Sequence, residues 1–320
     1  MKINSDIKPI VIMGANASGK TSLAIEIAKR FNGEIISADS KQVYQHLSAG
    51  TSKPLGKWEK NGNKKIYIVS GIPYHLLDII DPKESYDTAM FAKEAKKLIK
   101  DIKKRGKLPI IAGGTGMYIQ ALWNGLDKMP KADIQIRNKL TNFAEQFGRI
   151  ALHEKLEKAD PIAAVKIPPN NIQRVIRALE VSEITGKPIS TLWTGRFFDT
   201  LPVHLANFTM IAWPKAELSE RIKKRTLKFF DAWVKETQIL ITMGYASDCP
   251  GLKSLGYPQI LDYISNKISK QDAVHKIVKL SLSYAKRQNT WFHRYKNILK
   301  LEFEKPSDYN LDKIIKTIVK

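Results

Sequence analysis

A short run near the start of the chain has the residue types and spacing of a phosphate-binding loop. The run matches the pattern G-x-x-x-x-G-K-[ST] at every fixed position and comprises Gly14, Ala15, Asn16, Ala17, Ser18, Gly19, Lys20 and Thr21. Glycines let the backbone turn several N–H groups inward, and the start of a following helix adds partial positive charge. Lys20 adds a full charge and the Thr21 hydroxyl can bind Mg²⁺, so this P-loop is typical of a protein that binds a di- or triphosphate.

A carboxylate follows the next apolar segment of the chain. Residues 34–39 read Glu-Ile-Ile-Ser-Ala-Asp and predict a strand that ends in polar residues at Asp39. Because the carboxyl ends of strands in an open α/β sheet line the ligand crevice, Asp39 should lie near the P-loop. There it could bind Mg²⁺, act as a general base, or cap a helix over residues 40–46. The spacing alone favours neither the cap nor the chemistry.

Alternating strands and helices must position these residues. The apolar pattern predicts strands over residues 9–13, 34–39 and 108–112 and helices over 20–30 and 91–105. The first helix would bury the face formed by Leu23, Ala24, Ile27 and Ala28, and Gly106 stands where a helix C-cap is expected. Residues 65–69 fit either a third strand or an edge hairpin. The order strand, Gly-rich turn, helix, strand is typical of a βαβ unit with a mostly parallel sheet.

The pattern changes in the second third of the chain. Residues 122–201 are helical in periodicity and rich in charge, without clear strands. A strand over 208–212 and helices over 217–236 and 273–292 follow, and the Lys-rich tail from about residue 300 is expected to be partly ordered. We therefore predict an α/β fold with a P-loop-type parallel sheet core, residues 1–121 and 202–320, and an inserted, mainly helical domain, residues 122–201.

Composition restricts the class of protein. The chain of 320 residues has 53 Lys and Arg against 31 Asp and Glu, a net charge of +22 that would attract polyanions, although Lys-rich solvated faces give the same excess. Cys249 is its only cysteine, which excludes an internal disulfide and a cysteine-based zinc site, and its His residues show no metal-ligand spacing. Residues 1–8 are polar and no apolar run approaches the ~18 residues of a membrane span, so we expect a soluble cytoplasmic protein without a signal peptide.

The P-loop alone does not identify the molecule that carries the phosphate. No apolar strand ending in Asp reads as a Walker B motif, because the strand over 108–112 runs into Gly-Gly-Thr-Gly at 113–116. One alternative is a P-loop kinase for a small molecule or nucleotide, which would transfer phosphate from ATP. Another is a non-catalytic RNA-binding protein with a degenerate P-loop, but the intact Gly19-Lys20-Thr21 and Asp39 argue against it.

Several separated segments together resemble one family. They are the P-loop with residues 35–44 (IISADSKQVY), 50–54 (GTSKP), 75–79 (HLLDI) with Pro82 and Phe91, 106–109 (GKLP) running into 113–118 (GGTGMY), Asn171 with 174–181 (RVIRALEV) and 185–188 (TGKP), and 284–288 (YAKRQ) with 290–292 (TWF). In this order, and over nearly the whole chain, they resemble the bacterial-type tRNA dimethylallyltransferases, also called tRNA isopentenyltransferases. The combination of SADS, GGTG and RVIRALE is highly specific.

The resemblance implies a reaction and the residues that carry it. The P-loop would bind the diphosphate of dimethylallyl diphosphate, and the dimethylallyl group would pass to the exocyclic amine of the adenine 3′ to the anticodon in tRNA. Asp39 would be the general base that takes the proton of that amine. Lys20 and Thr21 would hold the leaving diphosphate, with Mg²⁺ at Thr21. Arg221 matches a later diphosphate-binding arginine of the family only loosely.

The resemblance also implies contacts with the anticodon stem-loop of tRNA. These would come from residues 253–258 and from Asp39, Ser40, Lys41, Gln42, Gln173, Arg174, Val175, Ile176 and Arg177. The inserted helical domain would grip the stem-loop, and the protein would act as a monomer. The sequence departs from the family at Ala15 and Asn16, where Pro and Thr are usual, and at Pro258, where a basic residue is usual. The last departure weakens the case for a phosphate contact at Pro258.

Overall fold

The first apolar run forms β1 (Ile10–Gly14), an inner strand of an eight-stranded sheet. The computed structural model describes residues 8–62 and 64–319. After β1, the part of the chain before residue 125 contains α1 (Lys20–Arg30), β2 (Gly33–Ser37), β3 (Lys57–Asn61), β4 (Lys64–Val69), β5 (Ile72–His75), α2 (Thr88–Lys104), β6 (Leu108–Gly113) and α3 (Gly116–Asn124). The expectation that the chain has no signal peptide rests on residues 1–8. Of these, only Lys8 belongs to the described residues.

A separate helical unit occupies Gly125–Asp199, inside the segment 122–201 singled out by the sequence pattern. Its helices are α4 (Ile134–Ala159), α5 (Pro161–Lys166) and α6 (Ile172–Thr185), followed by two short 3₁₀ turns. Gly148 has non-helical backbone angles and divides α4 in two. Leu152, Leu156 and Leu179 contribute to the unit's own hydrophobic core. Each helix therefore buries one face within this unit, as an independent domain requires.

The larger unit resumes at Thr200 and completes the sheet. It adds β7 (Asn207–Ala212), α7 (Lys215–Thr242), α8 (Tyr257–Ile264), α9 (Lys270–His293), β8 (Leu299–Glu302) and α10 (Leu311–Val319). The strand order is β3-β4-β5-β2-β6-β1-β7-β8. All neighbours from β5 to β8 pair in parallel, and only β3 and β4 add antiparallel pairings at one edge. The predicted α/β core with an inserted helical segment is confirmed.

Both faces of the sheet are covered by helices. In β1, Ile10 and Ile12 pack into one core with helices α1 and α10, whereas Val11 and Met13 pack on the opposite face with Phe91 of α2. This alternation explains why the strand reads as a continuous apolar run: a parallel strand covered on both sides needs apolar residues at every position. The predicted buried face of α1, formed by Leu23, Ala24, Ile27 and Ala28, is confirmed.

Several boundaries and elements differ from the sequence prediction. The second strand ends at Ser37, two residues before Asp39, because Ala38 begins the turn that leaves the sheet. Residues 65–69 belong to β4, which forms an edge hairpin with β3. The patterns also missed β5, α3, α8 and α10, which are four to nine residues long. Such short elements depend on tertiary packing for their stability more than on local propensity.

A buried carboxylate ties the start of β2 to the segment that joins α2 and β6. The Glu34 side chain is 1% exposed, forms ion pairs with Arg105 and, at 2.9 Å, with Lys107, and is hydrogen-bonded to His75. Burial alone would raise the pKa of Glu34, but hydrogen bonds from His75, Arg105 and Lys107 outweigh it and hold this pKa well below its usual range. The network fixes the amino end of the strand whose other end leads to Asp39.

Replacing Glu34 should therefore destabilise the fold in a pH-dependent way. At pH 7 we expect Glu34→Gln to lower the free energy of unfolding by about 3 kcal/mol, because Arg105 and Lys107 lose the buried carboxylate that they share. A carboxyl with a lowered folded-state pKa stabilises the protein above its unfolded pKa of about 4.3 and loses this contribution as the pH falls towards the folded value. The difference between wild type and variant, measured by denaturant unfolding, should shrink between pH 7 and pH 3.

Glu59→Gln is the matched control for this measurement. Glu59 is an exposed carboxylate that pairs with Lys57 on the edge hairpin. Its replacement should change stability by less than about 1 kcal/mol at either pH. A Glu34→Gln effect that is as small as the control, or equal at pH 7 and pH 3, would contradict the proposed role of the buried network.

Candidate active site

Three loops meet in a cavity of about 300 Å³ at the carboxyl ends of parallel strands. The P-loop follows β1, residues 39–42 follow β2, and Gly113 and Gly114 lie at the end of β6; all three groups line the cavity. Helices α7 and α9 supply further lining residues. This is the edge of an open α/β sheet at which ligand sites are found.

The P-loop leaves β1 through a backbone turn that only glycine fits. Gly14 has a φ of +153°, and a Cβ at this position would lie 2.6 Å from the carbonyl oxygen of Ile211 on β7. Ala17 and Gly19 also have positive φ, of 61° and 95°. The indole N–H of Trp213 donates a hydrogen bond of 3.0 Å to the Ser18 carbonyl, which fastens the loop from the outside. The loop is thus shaped before any ligand binds.

Lys20 is held inside this turn. Its ammonium donates to the Ala15 carbonyl at 2.6 Å. Burial lowers the pKa of Lys20 to about 8; the Asp39 carboxylate opposes this shift and Arg225 adds to it. Lys20, Asp39 and Arg225 all line the cavity, so their charges influence one another.

Asp39 makes the capping contact that the sequence allowed, and it uses only one of its two oxygens for it. One oxygen, Oδ1, accepts hydrogen bonds from the backbone N–H groups of Lys41 at 2.8 Å and Gln42 at 3.3 Å. This is a capping interaction, but of a turn, since residues 40–46 form no helix. Within residues 8–62 and 64–319, no hydrogen bond is made by the second oxygen, Oδ2. Asp39 therefore has one oxygen that fixes its position and one that can accept a proton.

The Gly-Gly-Thr-Gly turn after β6 supports the Asp39 loop. A Cβ on Gly113 would lie 2.1 Å from the Ala38 carbonyl oxygen, so the two backbones touch directly before Asp39. The Thr115 hydroxyl accepts a hydrogen bond from the Ser40 N–H at 3.1 Å. The turn thus acts on the neighbouring loop, and glycine is required by contact with that loop's backbone.

Gln288 of α9 joins the P-loop to this turn. Its side-chain oxygen accepts from the Asn16 N–H at 2.7 Å, and its amide donates to the Gly114 carbonyl at 2.9 Å. A Cβ on Gly114 would lie 2.2 Å from the Gln288 amide nitrogen. Nearby, burial and the Asp39 charge raise the pKa of Tyr284 to about 12, so this phenol stays protonated and can donate. The segment 284–288 therefore fixes the P-loop relative to the turn after β6, a role that sequence analysis did not identify.

The arginine that lines the cavity is Arg225, one helical turn beyond the Arg221 named from sequence. Arg221 does not line the cavity: its guanidinium pairs with Glu217 at 2.6 Å and lies 3.6 Å from the ring centroid of Trp213. Burial lowers the pKa of Arg225, and the nearby Asp39 charge counteracts this shift. Residues four apart share a helix face, so the sequence alone could not distinguish the two positions.

The residues expected to contact RNA fall into three groups. Ser40, Lys41 and Gln42 line the cavity, and burial lowers the pKa of Lys41 while Asp39 opposes this. In the segment 253–258, Ser254 and Leu255 line the cavity.

The third group lies on α6 of the helical unit. Gln173 and Arg174 are exposed there, whereas Val175 and Ile176 are buried in that unit's hydrophobic core. The side chains of Val175 and Ile176 thus stabilise the helix and are not available to bind RNA. Arg177 donates to the Pro130 carbonyl at 2.7 Å and pairs with the buried Glu180, which also binds Arg137.

Few groups in the described part of the chain could hold a metal. Residues 8–62 and 64–319 contain no cluster of three or more His, Cys, Asp or Glu side chains suited to a metal ion. Thr21, the last residue of the P-loop, lines the cavity. Mg²⁺ usually keeps several waters and takes one or two protein oxygens plus phosphate oxygens, so this sparse donor set fits a cation that binds together with a diphosphate. In addition, no described helix is long and apolar enough to cross a membrane.

Comparison with known proteins places the chain in a family. The family model described as IPP transferase matches residues 42–295. A tRNA dimethylallyltransferase of Elusimicrobium minutum is 45% identical over 92% of this chain and 94% of its own length, and that of Carboxydothermus hydrogenoformans is 40% identical over 98% and 96%.

Solved structures agree with the sequence comparisons. The full-length tRNA isopentenylpyrophosphate transferase of Bacillus halodurans has a TM-score of 0.65 at 34% identity and covers 98% of this chain and 94% of its own. A eukaryotic dimethylallyltransferase acting on tRNA has a TM-score of 0.73 at 27% identity, covering 96% and 77%. The resemblance seen in the sequence segments is thus confirmed. The chain belongs to the IPP transferase family, and relatives similar to it are named tRNA dimethylallyltransferases or tRNA isopentenylpyrophosphate transferases.

Proposed function

We propose that this protein transfers a dimethylallyl group from dimethylallyl diphosphate to the exocyclic amine of the adenine 3′ to the anticodon in tRNA, releasing diphosphate. The observation that carries the proposal is the shared cavity of a P-loop and a carboxylate: Lys20, Thr21 and Asp39 all line it. The P-loop suits a diphosphate, and the Asp39 carboxylate suits removal of a proton. Membership of the IPP transferase family supports this assignment of donor and acceptor.

The diphosphate would bind where positive charge is concentrated. Lys20 and Arg225 line the cavity together with the backbone of the P-loop, at the N-terminus of α1. Inward N–H groups and a helix N-terminus attract phosphate oxygens, and the two cations lie in a site partly shielded from water, where their charge acts strongly. The Thr21 hydroxyl would hold Mg²⁺, whose charge would further stabilise the leaving diphosphate.

The chemical step needs one bond made, one broken and one proton moved. The adenine amine nitrogen attacks C1 of the dimethylallyl group while the C1–O bond breaks, and the bonding electron pair leaves with the diphosphate. Asp39 takes the proton of the amine. Because negative charge grows on the diphosphate as the bond breaks, Lys20, Arg225 and the loop N–H groups stabilise the transition state more than the ground state.

The adenine must leave its stacked position in the RNA to reach the cavity. A base stacked in an RNA loop cannot reach a site at the bottom of a cavity, so the adenine must leave the stack, which costs a few kcal/mol. Contacts with the RNA backbone would offset this cost, and the net charge of +22 favours them. We assign the grip on the anticodon stem-loop to the helical unit, with Gln173 and Arg174 on its exposed surface, and expect a monomeric enzyme.

The kinase alternative finds less support at the site. Strand β6 lies next to β1 but ends at Gly113 and is followed by Gly114, so it offers no acidic residue at the position where a Walker B carboxylate would hold Mg²⁺. If the protein were a kinase, it would transfer radiolabelled phosphate from ATP to an acceptor. Absence of such transfer together with prenylation of tRNA would exclude it.

The proposed reaction can be tested with purified protein, dimethylallyl diphosphate, Mg²⁺ and unmodified tRNA. We expect one dimethylallyl group on the adenosine 3′ to the anticodon, detected by mass spectrometry of the digested tRNA. Asp39→Asn should lower kcat by about two to four orders of magnitude, because it removes the base. It should leave tRNA binding nearly unchanged, since the asparagine oxygen can still accept from the N–H groups of Lys41 and Gln42.

Asp39→Ala serves as the comparison for this variant, because it removes both the base and the turn contact. If Asp39→Asn kept more than about a tenth of the wild-type kcat, the general-base role would be refuted. If the wild type bound tRNA without transferring any group, the non-catalytic RNA-binding alternative would be favoured instead.

The lowered pKa of Lys20 predicts a pH dependence of diphosphate binding. Lys20 carries its charge below its pKa of about 8 and loses it as the pH rises through that value. Titration calorimetry of inorganic diphosphate should therefore show an affinity that falls by about tenfold more between pH 7 and pH 9.5 in the wild type than in Lys20→Arg, because arginine stays charged. Parallel pH profiles of the two proteins would contradict the prediction and would assign the pH effect to the diphosphate itself.

Two arginines on α7 allow a direct test of which one binds the donor. Arg225→Ala should raise KM for dimethylallyl diphosphate by about tenfold or more, because a charge-assisted hydrogen bond to phosphate is lost. Arg221→Ala should change this KM by less than about threefold and act mainly on stability, since its partners are Glu217 and Trp213. The reverse order of effects would favour Arg221, the residue named from sequence.

A further inference from the structure

One wall of the cavity differs in character from the others. Its large apolar side chains are Phe229 and Trp233 of α7 and Leu255, just before α8. The remaining large lining side chains carry polar or charged groups and come from the P-loop, the Asp39 loop, β5, α7 and α9. An apolar part of a ligand would therefore lie against the wall formed by Phe229, Trp233 and Leu255.

This wall begins next to the diphosphate site. Arg225, Phe229 and Trp233 follow one another at intervals of four residues along α7, and all three line the cavity. Such spacing places them on one helix face, about 6 Å apart along the helix axis. The order is thus a cation, an aromatic ring one turn further, and a second aromatic ring two turns further.

Trp233 is the fixed end of this series. It is 4% exposed and packs against the Tyr257 ring, with the ring centroids 5.4 Å apart. A Cβ on Gly50 would lie 2.3 Å from its indole nitrogen, and a Cβ on Gly256 would lie 2.0 Å from its outer ring carbon. The indole therefore occupies a slot that exists only because both neighbours are glycines.

The slot itself is held by hydrogen bonds. Glu236, one turn beyond Trp233, accepts from the backbone N–H groups of Ser48 at 2.7 Å and Ala49 at 2.8 Å, and from the Tyr257 hydroxyl at 2.5 Å. Among the described residues the indole N–H of Trp233 has no hydrogen-bond partner. The orientation of the ring is thus set by shape, which leaves it little freedom to move aside for a ligand.

Resting on the function proposed above, we propose that Trp233 is the end wall that restricts the donor to a single five-carbon prenyl unit. With the diphosphate at Lys20 and Arg225, the prenyl chain extends along Phe229 towards the Trp233 ring. Each further prenyl unit adds four carbon–carbon bonds of about 1.5 Å along the chain, which lengthens an extended chain by about 5 Å. That length is close to one helical turn, so a ten-carbon chain would collide with the indole.

The test compares dimethylallyl and geranyl diphosphate as donors to tRNA. The wild type should favour the five-carbon donor in kcat/KM by at least about tenfold. Trp233→Leu and Trp233→Ala should raise the ratio of geranyl to dimethylallyl transfer by about tenfold or more, because they remove the wall. Trp233→Phe keeps an aromatic plate but lacks the indole N–H, and should stay within about threefold of the wild-type ratio.

Phe230→Leu is the matched control for damage to the core. Phe230 adjoins Phe229, is 1% exposed in the same core as Trp233, and does not line the cavity. Its replacement should lower thermal stability without changing the donor ratio. A changed ratio in this variant would mean that loosening of the core, and not loss of the wall, admits the longer donor, which would overturn the proposal.

Each remaining outcome has a defined meaning. A wild type that uses both donors equally well, or folded Trp233→Leu and Trp233→Ala variants with the wild-type ratio, would overturn the proposal. If these variants did not fold, competition by geranyl diphosphate in the wild type would decide, since equal binding of the two diphosphates contradicts an end wall. Failure of the wild type to transfer dimethylallyl at all would refute the proposed function, while this binding comparison would still test the wall.

Discussion

The charge balance inside the cavity is the constraint on which the site depends. Lys20, Lys41 and Arg225 are cations whose pKa values are lowered by burial, and Asp39 opposes each of these shifts. One carboxylate thus faces three desolvated cations. A diphosphate would supply the missing negative charge, and its departure as a more highly charged leaving group would be favoured by the same surplus.

This balance requires that loops from distant parts of the chain stay in place. Glycines at the ends of β1 and β6 let backbones approach one another more closely than any side chain would allow, as at Gly14 and Gly113. Glu34 anchors the other end of β2, and Glu236 anchors the loop around Gly50. In each case one carboxylate with several hydrogen-bond donors fixes a segment that leads to or carries lining residues. Rigid surroundings of this kind are what a preorganised electrostatic site needs.

The sequence predicted the parts of the site that depend on local patterns. The P-loop is specified within eight residues, and the position of Asp39 follows from the rule that ligands bind at the carboxyl ends of parallel strands. The structure was needed to replace Arg221 with Arg225 as a cavity residue, because both fit the same helix face. It was also needed to recognise Val175 and Ile176 as core residues within a segment that the resemblance linked to RNA. The end wall at Trp233 depends on contacts between α7, Gly50 and Gly256, which no local pattern encodes.

The hydrogen bond between the Asn16 N–H and Gln288 spans 272 residues of sequence. Because a growing polypeptide folds from its N-terminal end, the P-loop is synthesised long before the side chain that fastens it to the turn after β6. A nascent chain would therefore carry a loosely held anion site through most of translation and would become competent only when α9 has docked. The order of synthesis thus delays activity until nearly the whole chain exists. Contacts of such long range also slow folding.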